Sequence, residues 1–293
     1  MTSSDSSDRL RLSRQLAAYS YRTSLQVRYG DLDAVGHLNN AVTYGLHDEA
    51  QNRFWTQQLG LSMAELREVR PMHRQTDYLR IGRWPSPLIA GVGILGWDSS
   101  AVRIGSALFQ SDRCINLQEC LIAATLENAA LLSRVSPTAI PGIADSEASI
   151  SRDALDPQLL DPQSYSFRSA LTPRFADLDV AGRIGASAIA RHAEQARSDL
   201  MRHIIHRNEL PRGSLRGVVG SVKVWELATA RSRNMELASS VRRITPRSVH
   251  FGLGIFGDAR CIAYCESVHV FVDRQDKATT PAEVTLRALR LWL

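Results

Sequence analysis

Lysine is almost absent from this sequence: it occurs only at Lys223 and Lys277 among 35 basic residues, so the other 33 are arginine. No run of five basic residues occurs, and no basic stretch alternates with aromatic residues, so nothing favours nucleic-acid binding. The planar guanidinium fork suits phosphate and carboxylate groups. The arginine excess therefore fits a phosphate-bearing partner, and a compositional bias of the source genome explains it equally well.

Long hydrophobic runs are also missing. The longest uncharged stretch, Trp84–Trp97, is too short to span a bilayer. The first residues, Met1–Arg14, are polar, carry Asp5 and Asp8, and lack the apolar core of a signal peptide. These absences predict a cytoplasmic protein that does not cross a membrane.

Cysteine is scarce, and the four cysteines do not have the spacing of a metal site. No histidine cluster at ligand spacing accompanies them. Each lies in an apolar, strand-like stretch, which predicts buried thiols in a reducing compartment. The four are Cys114, Cys120, Cys261 and Cys265.

An internal repeat organises the chain, whose 293 residues are enough for two ordinary domains. Val27–Gln51 aligns with Pro173–Arg197 at a lag of 146, and across Arg28–Gly36 five of nine positions are identical. A second match at a lag of 147 pairs five residues of the first half with five of the second. These are Phe109, Arg113, Cys114, Ile115 and Glu119 with Phe256, Arg260, Cys261, Ile262 and Glu266. Two matches in nearly one register indicate a duplication.

The join between the repeats is predicted where the pattern fails. Ser136–Ser166 contains four prolines, several serines and aspartates, and little periodicity, as linkers do. The resulting division is a polar tail over 1–20, a first domain over 21–136, a linker over 137–165 and a second domain over 166–293.

Each half shows the same order of predicted elements: a strand, the repeated motif, a helix, then four strands. The entering strands are Ser24–Tyr29 and Ser169–Phe175. The helices are Asn40–Gln57, with Asn39 or Asn40 as N-cap and Gly60 as its stop, and Ala186–His206. The later strands are Gln75–Ile81, Leu88–Asp98, Ser100–Ser111 and Cys114–Thr125, then Val218–Leu227, Met235–Arg243, Ser248–Phe256 and Arg260–Val272. This order predicts an α+β architecture in which an antiparallel sheet packs on one long helix.

The motif of the first half resembles the opening motif of hot-dog-fold thioesterases, in the 4-hydroxybenzoyl-CoA thioesterase-like and acyl-ACP thioesterase branch. The resemblance lies in Asp31–Asn40 (DLDAVGHLNN), in the following helix with Asp48-Glu49-Ala50, and in Trp97–Ser100 before a strand. It covers most of residues 21–136 and, more weakly, 166–293. It implies two hot-dog domains in tandem, packed as a pseudo-dimer with the thioester between them, acting without metal or cofactor.

The resemblance assigns Asp33 as general base or nucleophile in the hydrolysis of an acyl-CoA or acyl-ACP thioester. An aspartate is ionised at neutral pH and can activate water directly. It also assigns the start of the helix, where the main-chain N–H of Asn40 would polarise the thioester carbonyl. The alternative is structural: Asp33 stabilises a turn, and Asn39 and Asn40 cap the helix.

The remaining predicted site residues are assigned more loosely. His37 matches a histidine of the plant acyl-ACP thioesterase pattern and could orient water, or could stabilise the loop. The asparagine that those enzymes carry two residues earlier is Val35 here. Glu49, or Asp48, could position the attacking water or lie on the helix surface. Ser99 and Ser100 could contact substrate or begin a strand.

The second motif retains Asp179, but Arg183 replaces the histidine and Gly185-Ala186 replaces the asparagine pair. This predicts one main active site, centred on Asp33, with the second unit as scaffold. Alternatively, Asp179 and Arg183 form a second site in which the arginine holds an anionic group.

Two further functions stay open at this level. One is a hot-dog dehydratase or hydratase acting on enoyl thioesters, although Asp33 and His37 are four residues apart where those enzymes typically have five. The other is a non-catalytic acyl-thioester-binding module. The predicted partner is an acyl thioester of CoA or of acyl carrier protein, with no nucleic acid and no membrane. Acyl chain length, aryl preference and assembly into homo-oligomers of tandem chains are open.

Overall fold

A computed structural model describes residues 13–97, 101–123, 155–229, 234–258 and 260–293. The chain divides into two compact units, Met1–Ser151 and Arg152–Leu293. Each unit has its own antiparallel sheet, its own long helix and its own core.

Unit 1 consists of a five-stranded sheet and a helix that packs against it. Its elements are β1 (Tyr21–Leu25), α1 (Asn40–Arg53) with a π-helical turn (Phe54–Gln58), α2 (Met63–Leu66), β2 (Pro71–Tyr78), β3 (Leu88–Trp97), β4 (Ala101–Gln110) and β5 (Arg113–Ala123). The strand order is β1-β3-β4-β5-β2, and every pairing is antiparallel. The helix contacts β1, β3 and β4.

Helix α1 begins at the predicted residue, and together with the π-helical turn it ends one residue beyond the predicted Gln57. The Asn39 side chain accepts the main-chain N–H groups of Ala41 and Val42 and so caps the helix. After the π-helical turn the chain leaves the helix at Gly60, which has a φ of +69°, a value that glycine adopts without strain. The apolar end of this helix, including Phe54 and Trp55, is buried in the unit 1 core.

Unit 2 repeats the arrangement. Its elements are β6 (Phe167–Leu171), α3 (Ala186–Arg207), β7 (Gly217–Glu226), β8 (Met235–Ile244), β9 (Ser248–Gly257), β10 (Arg260–Phe271) and α4 (Glu283–Arg290). Within the unit the strand order is β6-β8-β9-β10-β7, again antiparallel throughout. Helix α3 packs on β6, β8 and β9. The sequence pattern predicts all of these elements except α4.

The entering strands end earlier than their sequence pattern predicts. The alternation continues to Tyr29 and Phe175, but β1 ends at Leu25 and β6 at Leu171. A short 3-10 turn follows in each unit. In unit 1 the carboxylate of Asp31 accepts the main-chain N–H of Arg28 at 2.7 Å, which turns the backbone away from the sheet.

The packed part of each unit also begins earlier than its domain was predicted to begin. Tyr19, in the predicted polar tail, is buried and packs edge-to-face on Phe109. Tyr165, in the predicted linker, is buried and packs on Phe256. Tyr165 follows a polar segment with two prolines, and Tyr19 follows a short segment rich in arginine and serine. Hydrophobic periodicity does not reveal a single aromatic anchor in either segment.

All four cysteines are buried and unbonded to one another, as predicted. Among the helices that the structure describes, none has the length and apolar character needed to cross a membrane.

Candidate functional site

The site is built on a tight turn that Asp33 closes. Its Oδ1 accepts the main-chain N–H groups of Val35 at 3.0 Å and His37 at 2.9 Å. The main-chain N–H of Asp33 donates to the carbonyl of His37 at 2.8 Å, and Gly36 takes a φ of +79°. One carboxylate oxygen is therefore used by the loop itself, as the structural alternative predicts.

The same turn occurs twice more among the residues that the structure describes. In unit 2, Asp179 Oδ1 accepts the N–H groups of Ala181 and Arg183 at 2.8 and 3.0 Å. After β10, Asp273 Oδ1 accepts those of Gln275 and Lys277 at 2.8 and 3.0 Å. The Asp273 turn has no counterpart of the motif around it. The loop thus explains why an aspartate is present in both repeats, without any need for chemistry.

The second carboxylate oxygen distinguishes the two repeats. Asp33 Oδ2 lies 3.9 Å from His37 Nδ1, beyond hydrogen-bond distance, and the Asp33 side chain is one-third exposed. Asp179 Oδ2 instead accepts from Nε and Nη2 of Arg183, both at 3.0 Å. The unit 2 carboxylate is occupied at both oxygens, and the Arg183 charge is compensated, so this geometry supports neither a base nor an anion site there.

The start of α1 lies next to the turn, because the main-chain N–H of Asn39 donates to the Asp31 carbonyl at 2.9 Å. The Asn39 side chain occupies the amides of Ala41 and Val42. Within the part of the chain that the structure describes, nothing accepts a hydrogen bond from the main-chain N–H of Asn40. The cap therefore leaves a single donor at the positive end of the helix.

The segment between β2 and β3 fixes this arrangement. The carbonyl of Gly82 accepts the Leu38 N–H at 2.9 Å. A Cβ at Gly82 would lie 3.0–3.1 Å from side-chain atoms of Leu38 and Ile115, so the close approach favours glycine. The Tyr78 hydroxyl donates to the Asn40 carbonyl at 3.0 Å and holds the first turn of α1 against β2.

The two acidic residues of helix α1, Asp48 and Glu49, differ in how far they are buried. Glu49 is half exposed and pairs with Arg53 at 2.7 Å, an ordinary surface ion pair one helical turn apart. Its predicted role in positioning water therefore gains no support from its contacts. Asp48, the alternative acid, pairs with the buried guanidinium of Arg74 at 3.1 Å. Burial raises the pKa of Asp48, and the Arg74 charge opposes that rise.

Between α1 and the sheet lies a buried polar layer that sequence reasoning missed. His47 Nδ1 is 2.7 Å from Ser106 Oγ, and His47 Nε2 contacts the side-chain oxygen of Asn116. Gln51 donates to Ser106 at 3.1 Å and to Gln118 at 3.0 Å. Burial lowers the pKa of His47 to about 4, so its ring is neutral near pH 7. The spacing of His47 and Gln51, one helical turn apart, was the available signal.

Unit 2 lacks this layer. At the lags of the repeat, Ala193 and Arg197 take the helix positions of His47 and Gln51. On the strands, Leu253, Ala263 and Cys265 replace Ser106, Asn116 and Gln118. Unit 2 forms the same fold with other groups here, among them the buried Arg197, whose Nη1 donates to Ser267 Oγ at 3.0 Å. The fold therefore does not require the particular polar layer of unit 1.

Two predicted substrate contacts, Ser99 and Ser100, lie outside the described residues. The other predicted residues of unit 1 fall into two groups. The motif turn and the helix start bring Asp33, His37, Asn39 and Asn40 together, whereas Glu49 is on the outer face of α1.

Comparison with known proteins identifies the fold. No protein-family model matches the chain, and no curated protein is significantly similar to it. The 12:0-ACP thioesterase from Umbellularia californica matches in structure with a TM-score of 0.65 and 10% identity, over 85% of this chain and 93% of that one. An acyl-ACP thioesterase from Bacteroides thetaiotaomicron matches with a TM-score of 0.56 and 13% identity, over 86% and 97%.

These matches agree with the architecture of each unit, a long helix on an antiparallel sheet. The chain has the α+β hot-dog fold, present twice in tandem, as in the acyl-ACP thioesterases that it resembles in structure.

Proposed function

We propose that this protein is a thioesterase that hydrolyses an acyl-CoA or acyl-ACP thioester at the motif of unit 1. The observation that carries the proposal is a difference between the repeats. Only unit 1 combines a carboxylate oxygen that the loop does not use with a histidine beside it and a single uncommitted helix amide next to the turn. In unit 2 the matching carboxylate is fully paired.

The chemistry follows from these groups. Asp33 Oδ2 removes a proton from water, and the water oxygen forms a bond to the thioester carbon. Negative charge moves onto the carbonyl oxygen, where the Asn40 N–H and the helix dipole stabilise it. When the carbon–sulfur bond breaks, the sulfur leaves as a thiolate, which the protonated Asp33 neutralises. His37 orients the water, and Asn39 keeps the competing amides occupied.

Two of the structural matches are proteins named as ACP thioesterases, which supports a hydrolase acting on acyl thioesters. The fold alone would permit other chemistry on the same substrates. Support for hydrolysis therefore also depends on the position of the carboxylate beside the free amide.

A second candidate, a non-catalytic acyl-thioester-binding module, is favoured by one observation. The Asp273 turn has the same aspartate hydrogen bonds without the surrounding motif, which is what a structural role of this geometry would give. In this alternative Asp33 would fix the loop and nothing more.

Thiol release from a panel of acyl-CoA and acyl-ACP thioesters separates the two. Asp33→Asn keeps an oxygen that can accept the two loop amides but removes the charge. We expect it to lower kcat at least about 10²-fold, since general-base catalysis contributes about 10²–10⁴. Asp273→Asn makes the same change in a matched turn and should leave turnover unchanged. Binding without release from any thioester, or full activity of Asp33→Asn, would overturn the proposal.

A further inference from the structure

An exposed aromatic pair stands beside the motif turn of unit 1. Tyr29 is 76% exposed and Trp84 is 48% exposed, and their rings meet edge-to-face with centroids 5.7 Å apart. Tyr29 lies four residues before Asp33. Trp84 lies two residues after Gly82, whose carbonyl accepts the Leu38 N–H. Both rings are therefore attached to the segments that form the candidate site.

Two arginines accompany the pair. Arg28 precedes Tyr29 and Arg83 precedes Trp84, and both are exposed. Neither guanidinium forms a hydrogen bond or ion pair with any residue that the structure describes. The acidic residue of the same turn is Asp31, whose Oδ2 accepts the main-chain N–H of Arg28 rather than its guanidinium. Each exposed ring is thus preceded in the sequence by an exposed arginine whose guanidinium has no partner among the described residues.

Unit 2 carries only part of this arrangement. Phe175 and Arg174 occupy the positions of Tyr29 and Arg28 at the lag of 146. Phe175 is 92% exposed, and no ring contact joins it to any other residue that the structure describes. The paired rings therefore occur in the same unit as the uncommitted Asn40 amide.

The composition of this surface matches a nucleotide better than a protein. Stacking of a base on an aromatic side chain contributes about 1–3 kcal/mol per base. A guanidinium group binds phosphate through paired, charge-assisted hydrogen bonds. A specific protein interface usually involves roughly 20–30 residues on each side, whereas the distinctive groups here are two rings and two guanidiniums.

The distance to the candidate site also fits. Four residues span at most about 14 Å when extended, and the 3-10 turn at Tyr29–Asp31 shortens this path. The pantetheine arm of CoA is a flexible chain able to cover a separation of this kind, and it places the phosphorylated nucleotide at the end remote from the sulfur.

We propose that Tyr29, Trp84, Arg28 and Arg83 bind the 3′-phosphorylated ADP end of CoA, so that acyl-CoA, rather than an acyl carrier protein, is the substrate. This inference rests on the proposed thioesterase function. The rings stack on the adenine, and the guanidinium groups pair with the phosphates. An acidic carrier protein docking on the same surface is the competing outcome.

The test compares one acyl group on three thiols: CoA, pantetheine, which lacks the nucleotide, and acyl carrier protein. We expect Trp84→Ala and the double variant Arg28→Ala/Arg83→Ala each to lower kcat/KM for acyl-CoA at least about tenfold more than for acyl-pantetheine, with the loss mainly in KM. Phe175→Ala is the matched control from unit 2 and should change neither. Equal losses on both thioesters, or no loss, would overturn the inference. So would a loss confined to the acyl carrier protein substrate.

A binding measurement keeps the two proposals separate. Calorimetry with adenosine 3′,5′-bisphosphate needs no hydrolysis, and we expect binding to wild type and to Phe175→Ala that is lost in the arginine double variant. If no thioester is hydrolysed but this binding pattern holds, the thioesterase proposal fails and the nucleotide surface stands. If thioesters are hydrolysed but the bisphosphate does not bind, the nucleotide surface fails and the thioesterase proposal stands.

Discussion

Asp33 is hydrogen-bonded to His37 through one of its carboxylate oxygens but not through the other. Oδ1 accepts the His37 main-chain N–H at 2.9 Å, whereas Oδ2 lies 3.9 Å from the His37 ring nitrogen. One oxygen of Asp33 thus stabilises the loop, and the other is available for a reaction. In unit 2, Arg183 stands in place of the histidine and binds the second oxygen of Asp179.

The structural and the catalytic role of Asp33 can be distinguished by comparing two substitutions of this residue. Asp33→Ala leaves the Val35 and His37 amides without their acceptor, so we expect a loss of about 1–3 kcal/mol in the free energy of unfolding. Asp33→Asn should cost less because it keeps an acceptor. Urea unfolding measures both. Asp273→Ala in the matched turn should destabilise in the same way while leaving thiol release intact. Equal stability of Asp33→Ala and wild type would show that the turn does not need this side chain.

One active site per chain is expected. Because Arg183 already occupies Asp179 Oδ2, Asp179→Asn should change kcat less than about threefold, compared with a loss of about 10² or more for Asp33→Asn. Thiol-release kinetics on the best substrate of the panel measure both variants. A comparable loss in the two would mean that both repeats catalyse, contrary to the assignment of unit 2 as scaffold.

The cap of α1 should affect stability and turnover together. Asn39→Ala frees the amides of Ala41 and Val42 and should cost about 0.5–2 kcal/mol of stability. It should also lower kcat, since the released donors bind water near the Asn40 amide. Asn39→Asp restores an acceptor and should recover most of the stability. Ser62→Ala removes the cap of α2 and serves as the control; it should lower stability without a matching fall in kcat. If the two alanine variants behave alike in turnover, the helix start has no role in the reaction.

The tandem fold could be predicted from the sequence because the repeat and the alternation of strand residues are local signals. The lag of 146 aligns Asp33 with Asp179, and both close the same turn. The predicted strand boundaries were wrong where a side chain turns the backbone, as Asp31 does after β1. Hydrophobic alternation carries no information about such hydrogen bonds.

The candidate site was only partly predictable. A motif names residue types, but whether Oδ2 of Asp33 or Asp179 is free depends on the residue four positions later and on its rotamer. The choice between Asp48 and Glu49 depends on which face of α1 is buried, and Arg74, the partner of Asp48, lies on strand β2, 26 residues further along the chain. The polar layer around His47 joins residues of three elements that are far apart in sequence. One sequence cannot reveal such pairings.

The buried layer makes unit 1 sensitive to acid. Burial lowers the pKa of His47 to about 4, whereas an unfolded histidine has a pKa of about 6.5. As pH falls below about 6.5, the unfolded chain takes up a proton that the folded chain does not, so stability is lost between about pH 6.5 and pH 4 and then levels off.

We expect this residue to account for a loss on the order of 3 kcal/mol over that window. Urea unfolding at several pH values measures it. His47→Gln removes the titrating group and should flatten the profile relative to wild type. A wild-type slope that persists in His47→Gln would assign the acid sensitivity elsewhere. His269 would then be the next residue to substitute, because burial lowers its pKa to about 3.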